Sequence, residues 1–125
     1  MVSMKPEKVA LEQGIKLPTG YHAVKDLNLV NLRPWHLVSD EEFAYFFSGI
    51  NKRYPRRSVI PFARREDSDD VACFVCRDPE QEPGTIIVMH DFASPGYENV
   101  ARIQTFWEWF KYAVDEMINW YEAGT

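Results

Sequence analysis

Two short apolar runs that flank one charged loop, within residues 59–74, constrain the fold of this chain most strongly. Residues 59–63 predict a strand, residues 64–70 predict a polar loop whose Asp and Ser residues favour turns, and residues 71–76 predict a second strand. Side chains alternate between the two faces of a strand, and in the second strand both sets are apolar. The stretch therefore predicts a hairpin that lies inside a sheet.

Length and composition predict one ordinary globular domain. The 125 residues, of which 46% are hydrophobic, are enough to bury one core without help from a metal or disulfide. The net charge of −5 argues against a nucleic-acid-binding surface and favours a basic partner, although acidic balance is also a common solubility device. We expect one domain over residues 1–125, with residues 1–16 as either a frayed arm or a short helix.

The chain shows no signal for a membrane or for export. No apolar run approaches the roughly 18 residues of a membrane-spanning helix, and the first residues lack the apolar centre of a signal peptide. Its cysteines, Cys73 and Cys76, are consistent with a reducing compartment. The sequence therefore predicts a cytoplasmic protein without a membrane partner.

Two further elements are distinct in the pattern. Ser39 and Glu42 form a capping box, which begins a helix that runs to about Arg53. Residues 85–89 predict a third strand that is apolar on both faces, so the sheet should be mostly antiparallel.

Four segments carry weaker signals. Residues 17–21 predict a turn because Pro fixes one dihedral angle and Gly permits the other sign. Residues 33–38 look extended, since the residue before a proline avoids the helical region. The shapes of residues 27–32 and 97–104 stay open.

The last helix has the clearest signature. A second capping box, Thr105 to Glu108, begins it, and Gly124 lies near its end as a stop. Its apolar residues occupy one broad half, with Phe110 and Met117 near the middle, so the helix should cover the sheet. The predicted fold class is α+β, a mostly antiparallel sheet covered by helices. The apolar half consists of Phe106, Trp107, Trp109, Phe110, Ala113, Val114, Met117, Ile118, Trp120 and Tyr121.

Metal and redox chemistry are disfavoured. Cys73 and Cys76 have the spacing of a zinc or redox motif, but in a strand they point to opposite faces, roughly 10 Å apart. We therefore expect two structural thiols and neither metal nor cofactor. The acids of residues 66–70 lack the order of a calcium loop, and the neighbouring Arg64 and Arg65 favour local ion pairs instead.

A hydrolase is conceivable from His90, Asp91 and Ser94, because an acid can orient an imidazole that activates a hydroxyl. Adjacent strand residues diverge, however, and Ser94 has no nucleophile elbow around it. A polar strand terminus is the favoured interpretation, and no residue is assigned as catalytic.

Four phrases, in their joint order, carry a resemblance to a known family. They are Arg53-Tyr-Pro-x-Arg57, Ile60-Pro-Phe-Ala-Arg-Arg-x-Asp-x-Asp-Asp-Val-Ala-Cys-Phe74, His90-Asp-Phe-Ala-Ser-Pro-Gly96 and Phe106-Trp-Glu-Trp-Phe110. Over about residues 53–122 the chain resembles the SUKH superfamily, which groups a fungal cell-wall-synthesis regulator with many bacterial immunity proteins. The resemblance implies a mostly antiparallel sheet backed by helices, no enzymatic activity and a protein-binding role.

Three functional hypotheses follow. The leading one is a cytoplasmic immunity protein that binds and neutralises a bacterial toxin of the nuclease or deaminase type. The alternative is a small regulatory or scaffold protein unconnected to toxins. The third is the hydrolase that uses His90 and Asp91.

The leading hypothesis predicts where the partner binds. A basic toxin that processes nucleic acid should meet carboxylates in place of phosphates, and opposite charges speed encounter. The candidate residues are Glu66, Asp67 and Asp69 in the charged loop, Asp91 as an extension of the acidic patch, and Trp35 as an aromatic anchor.

Overall fold

The computed structural model describes residues 4–123, which form four helices and six strands of one α+β domain. Gly124, the predicted stop of the last helix, lies outside these residues. The elements are α1 (Pro6–Gln13), α2 (Thr19–Asp26), β1 (Asn31–Leu32), β2 (Trp35–Leu37), α3 (Asp40–Arg53), β3 (Ser58–Arg65), β4 (Asp70–Arg77), β5 (Ile86–His90), β6 (Asn99–Ile103) and α4 (Phe106–Ala123).

The strands form one antiparallel sheet in sequence order, from β1 at one edge to β6 at the other. The predicted hairpin is confirmed as β3 and β4, and its loop is shortened to residues 66–69. The predicted third strand is confirmed as β5. Antiparallel neighbours of this kind need only short connections, which is why the charged loop joins two buried strands directly.

The two faces of β4 belong to separate clusters of the core. Val71, Cys73 and Val75 lie in one cluster, whereas Ala72 and Phe74 lie in the other, as strand alternation predicts. The first cluster is closed by Ile50 of α3 and by Tyr54, the residue that caps the end of this helix. The second cluster is packed under α1, α2 and α4, and its buried aromatic side chains are Tyr21, Trp35, Phe43, Phe62, Phe74, Phe106 and Trp109.

The capping box of α3 is present: Ser39 Oγ accepts from the Glu42 backbone N–H, and the Glu42 carboxylate accepts from the Ser39 N–H. Both ends of α3 agree with the prediction.

The structure settles the segments with weak signals. Residues 1–16 contain α1, so the short helix is present, although Leu11 is exposed. The turn predicted at residues 17–21 is wrong, because α2 begins at Thr19. Residues 97–104 contain β6.

The apolar half of α4 is narrower than predicted. Phe106, Trp109 and Ala113 are buried, whereas Phe110 and Met117 are only partly buried at its margin. A flat sheet covers one stripe of a helix that rests on it, so apolar residues beyond this stripe stay in water. The exposed members of the predicted half are Trp107, Ile118 and Tyr121.

Candidate functional site

Three connections of the sheet meet at one end of the molecule. In the antiparallel register Trp35 pairs with Arg65, and Asp70 pairs with His90. The β1–β2 turn, the β3–β4 loop (residues 66–69) and the segment after β5 (residues 91–98) therefore emerge together. The connection between β4 and β5 (residues 78–85) lies at the opposite end of the sheet. Asp69 and Asp91 are distant along the chain, and the fold brings both to the loop end, as the prediction that Asp91 extends the acidic patch required.

The charged loop is exposed, as predicted for a turn tip, and is held by local bonds. Ser68 Oγ accepts a hydrogen bond from the Asp70 N–H at 3.3 Å. Arg65 donates from Nε and Nη2 to the two oxygens of Asp67, at 2.8 and 3.0 Å, and from Nη1 to Glu116 of α4. These bonds hold the pKa of Asp67 below its usual value. The local ion pairing expected for this loop is therefore present.

Glu66 contacts residues of the β1–β2 hairpin at the same end of the molecule. Its Oε1 accepts from Arg33 Nε at 2.6 Å and lies 3.1 Å from His36 Nε2. The hydrogen bonds from His36 and Arg33 lower the pKa of Glu66. Glu66 thus remains charged, but the guanidinium of Arg33 offsets much of its field.

Asp69 is the loop acid with the freest carboxylate. Within residues 4–123 it makes no side-chain hydrogen bond and no ion pair. Its carbonyl oxygen accepts from the Asp91 N–H at 3.0 Å, which joins the charged loop to the segment after β5. Asp69 is therefore anchored by this backbone hydrogen bond, and the residue is exposed.

Asp91 does not extend the exposed acidic patch, and that prediction is wrong. The residue is 4% exposed, and both of its oxygens accept from Arg53, at 2.7 and 2.6 Å. Its Oδ1 also accepts from the Phe92 N–H at 2.9 Å. A buried carboxylate needs such partners, so Asp91 serves to fix its neighbours.

Trp35 is not an exposed anchor either. It is 0% exposed and packs edge-on against Trp109, with ring centroids 5.7 Å apart. The guanidinium of Arg65 covers it from the loop side, 5.6 Å from its ring centroid. Strand β2 has only three residues, and Trp35 lies on the face that α4 covers. In so short a strand, the sequence pattern does not determine which side chains face the core.

Two other aromatic residues, Phe92 and Tyr45, are exposed at the loop end, where an aromatic anchor for a partner was predicted. Phe92 is 62% exposed and Tyr45 is 72% exposed, and both line one cleft with Asp69, Arg53 and other residues. The cleft has a volume of about 210 Å³. The sequence did carry a signal for Tyr45, since it falls off the apolar stripe of α3. It also carried one for Phe92, a bulky apolar residue within a run of turn residues.

The backbone holds Phe92 in this position against its own preference. Its φ angle is 66°, a left-handed conformation that costs a bulky residue about 1 to 3 kcal/mol. Arg53, which is held by Asp91, lies over the ring at 4.1 Å. The hydrogen bond from the Phe92 N–H to Asp91, the ion pair of Arg53 with Asp91 and the contact of Arg53 with the ring therefore hold Phe92 exposed to solvent. We call the exposed residues of 66–69 and 90–97, together with Tyr45, the loop-end surface.

His90 pairs with a different acid from the one predicted. Its Nδ1 lies 2.8 Å from Asp70 Oδ1, across the neighbouring strand, while Asp91 turns to the opposite face of the sheet. Ser94 is exposed. The arrangement of His90 with Asp91 on which the hydrolase hypothesis depends is therefore not formed.

The cysteines lie on opposite faces of β4, as predicted. Cys73 and Cys76 are both free and buried. Burial raises the pKa of Cys73 well above its usual value and that of Cys76 to about 11, so both stay protonated thiols. Within residues 4–123, no group of three His, Cys, Asp or Glu side chains is placed to hold a metal ion.

The basic residues of the sequence are dispersed into separate ion pairs. Arg64 reaches Glu42 of α3 at 3.3 Å, and Arg53 and Arg65 bond to the acids described above. Arg57 lies between two nearly buried acids, Asp78 at 3.0 Å and Glu98 at 3.1 Å. No continuous basic face is built from these four arginines. The loop-end surface therefore presents two exposed aromatic rings, Phe92 and Tyr45, near the free carboxylate of Asp69.

Comparisons of this chain with family models, with curated proteins and with solved structures found no match. Within residues 4–123, no helix combines the length and apolar character that crossing a membrane requires. The SUKH resemblance therefore remains a hypothesis that rests on the sequence phrases alone.

Proposed function

We propose that this chain is a non-enzymatic protein-binding module whose loop-end surface binds a basic partner protein. The observation that carries the proposal is Phe92, an exposed aromatic ring held in a strained backbone conformation beside the free carboxylate of Asp69. Strain of this kind persists only when the surroundings enforce it, and it concentrates at functional positions.

The chemistry of the surface fits a protein rather than a small substrate. Exposed aromatic rings such as Phe92 and Tyr45 supply large contact areas, and a few such residues usually dominate the free energy of binding. The free Asp69 and the net charge of −5 favour a partner with lysine or arginine at the facing position. Ion pairs at the rim would act mainly on the rate of association and on its salt dependence.

The SUKH resemblance supports a more specific form of this proposal. In it, the partner is a bacterial toxin of the nuclease or deaminase type, and this chain neutralises that toxin in the cytoplasm. Such a toxin binds phosphates with basic residues, and carboxylates on the immunity protein would take their place. Nucleic acid itself is not a proposed partner, because the net charge of −5 repels it.

The first test is genetic context combined with affinity. We expect a neighbouring gene to encode a large secreted protein, whose carboxyl-terminal domain is purified as the partner. Phe92→Ala should weaken binding by about thirtyfold or more, because hot-spot truncations cost about 2 kcal/mol or more. Asp69→Asn should weaken binding less and should reduce its dependence on salt, since it removes one unpaired charge.

Two control variants come from exposed positions elsewhere. Leu11→Ala removes an exposed apolar side chain from α1, and Glu82→Gln removes an acid between β4 and β5. Both should leave affinity within about twofold. Unchanged affinity for Phe92→Ala and Asp69→Asn, with folded protein by circular dichroism, would place the interface elsewhere. A basic partner that is not a toxin would instead support the regulatory or scaffold alternative.

A further inference from the structure

The two edges of the sheet differ in how far they are exposed. At one edge β1 is only two residues long, so it offers little backbone to pair. At the other edge β6 has five residues, of which Asn99 to Arg102 are exposed and Ile103 is half-buried. Within residues 4–123, the backbone of β6 makes hydrogen bonds to β5 alone. One side of its N–H and C=O groups is therefore unpaired.

On the face of the sheet that α4 covers, a groove lies next to β6. This groove of about 330 Å³ runs between β6 and α4, and its lining is mostly apolar. Val100, which is 55% exposed, and Ala101 contribute from β6, Val88 contributes from β5, and Tyr112 contributes from α4. An unpaired edge and an apolar groove thus lie side by side.

The groove also has charge at its two ends. Asp70, whose carboxylate is hydrogen-bonded to His90, lies beside the start of β6. Glu108 lies in the first turn of α4, just after β6 ends, and its carboxylate has no hydrogen bond or ion pair within residues 4–123. Arg102 also lines the groove, and its register with Ile87 places its side chain toward the face away from α4. The two acids that line the groove therefore outnumber its one base.

We propose that β6 accepts an extended segment of a partner protein as a seventh strand. Backbone hydrogen bonds to β6 supply affinity in this recognition mode, and pockets for alternate side chains supply specificity. Side chains on one face of a strand repeat about every 7 Å. The groove takes two neighbouring apolar side chains of the segment, and a lysine or arginine beyond each of them meets Glu108 or Asp70.

A second copy of this chain fits the edge less well. Antiparallel pairing of two β6 strands would bring the acidic ends of both grooves together, between chains that each carry a net charge of −5. Like charges that face each other across an interface are unfavourable. The bulge at Val100, which has no partner in β5, disturbs the start of the strand and leaves Ala101 to Ile103 in regular register. A basic extended segment is therefore the occupant that the charges favour.

A synthetic probe tests the β6 edge independently of the loop-end surface. The probe is a capped heptapeptide of sequence Lys-Thr-Val-Thr-Val-Thr-Lys, which places both valines and both lysines on one face of a strand. Titration into ¹⁵N-labelled protein should shift amide signals of β6, Val88 and Tyr112. A peptide with glutamate in place of both lysines should bind at least tenfold more weakly, and N-methylation of alternate backbone amides should abolish binding.

Two variants locate the site on the protein. Ala101→Lys puts a charge into the groove and should weaken peptide binding at least tenfold, whereas Leu11→Lys on the exposed side of α1 should not. Glu108→Gln leaves β6 intact and should reduce the preference for lysine over glutamate. Equal binding of the lysine and glutamate peptides, or shifts away from β6, would overturn the proposal. A dimer in sedimentation that Ala101→Lys dissociates would assign the edge to a second copy instead, and would also overturn it.

Discussion

At the scale of single residues, Arg57 forms ion pairs with two acids, Asp78 and Glu98. The side chains of Asp78 and Glu98 are nearly buried, and Arg57 is the cation that faces both. Removal of one partner from a buried network leaves unpaired charge and typically costs about 3 to 5 kcal/mol. Arg57→Met should therefore lower the free energy of unfolding by about that amount, as measured by urea denaturation.

Arg56 offers a matched control for this measurement, because it is adjacent in sequence and exposed. Arg56→Met should change the free energy of unfolding by less than about 0.5 kcal/mol. A similarly small effect for Arg57→Met would show that water, rather than Arg57, compensates the two acids.

His90 predicts a pH dependence whose sign is fixed by its partner. The hydrogen bond that His90 donates to Asp70, with smaller effects of Asp69 and Asp91, raises the pKa of His90 above its usual value of about 6.5. The folded state therefore favours the protonated form. This contribution to stability is fully present below about pH 6.5 and is lost as the pH rises through the folded pKa.

The direct measurement is a titration of the His90 imidazole by NMR in the native protein and in Asp70→Asn. The pKa should fall toward its usual value in the variant. An unchanged pKa would mean that the contact with Asp70 does not persist in solution.

Single residues also show which exposures could be predicted from the sequence and which could not. Glu66, Asp67 and Asp69 were predicted correctly as exposed, because a turn tip between two buried strands must face water. Trp35 and Asp91 were placed wrongly, since their exposure depends on α4 and Arg53, which are distant in sequence. Long-range partners of this kind leave no local pattern.

At the scale of elements, α4 provides the clearest test of packing. Trp109 contacts Trp35, Phe62 and Phe106 and is fully buried, whereas Phe110 lies at the margin. Trp109→Ala should cost about 3 to 5 kcal/mol of unfolding free energy, and Phe110→Ala should cost less. Thermal and urea denaturation measure the order, with the exposed Lys111→Ala as control. The reverse order would contradict the position of α4 on the sheet.

Elements with strong local signals were predicted well, as was the extended segment 33–38 that contains β2, whereas α2 and β6 were missed. The capping box and apolar stripe identified α3, and doubly apolar runs identified β4 and β5. Helix α2 was missed because Gly20 suggests a turn. A Cβ at residue 20 would lie 2.7 Å from Trp107 Cε2, so this glycine serves the close approach of α2 to α4. Strand β6 was missed because an exposed edge strand lacks buried alternation.

At the scale of the whole molecule, the packed core and the proposed binding surface occupy separate regions. Helices cover both faces of the sheet and bury the apolar clusters, while connections at one end carry Asp69 and Phe92. A rigid sheet that presents short loops is a common scaffold for binding sites. The fold class could be predicted from the sequence, but the assembly of the loop-end surface required the register of five strand pairs.

Hydrogen–deuterium exchange of the protein with and without its basic partner tests the central claim most directly. The toxin domain expected from the neighbouring gene is the first partner to use. We predict slower exchange on binding in residues 66–69 and 91–97, where the loop-end surface lies, and unchanged exchange in residues 78–84 at the opposite end. Protection confined to residues 78–84, with residues 66–69 and 91–97 unchanged, would contradict the account.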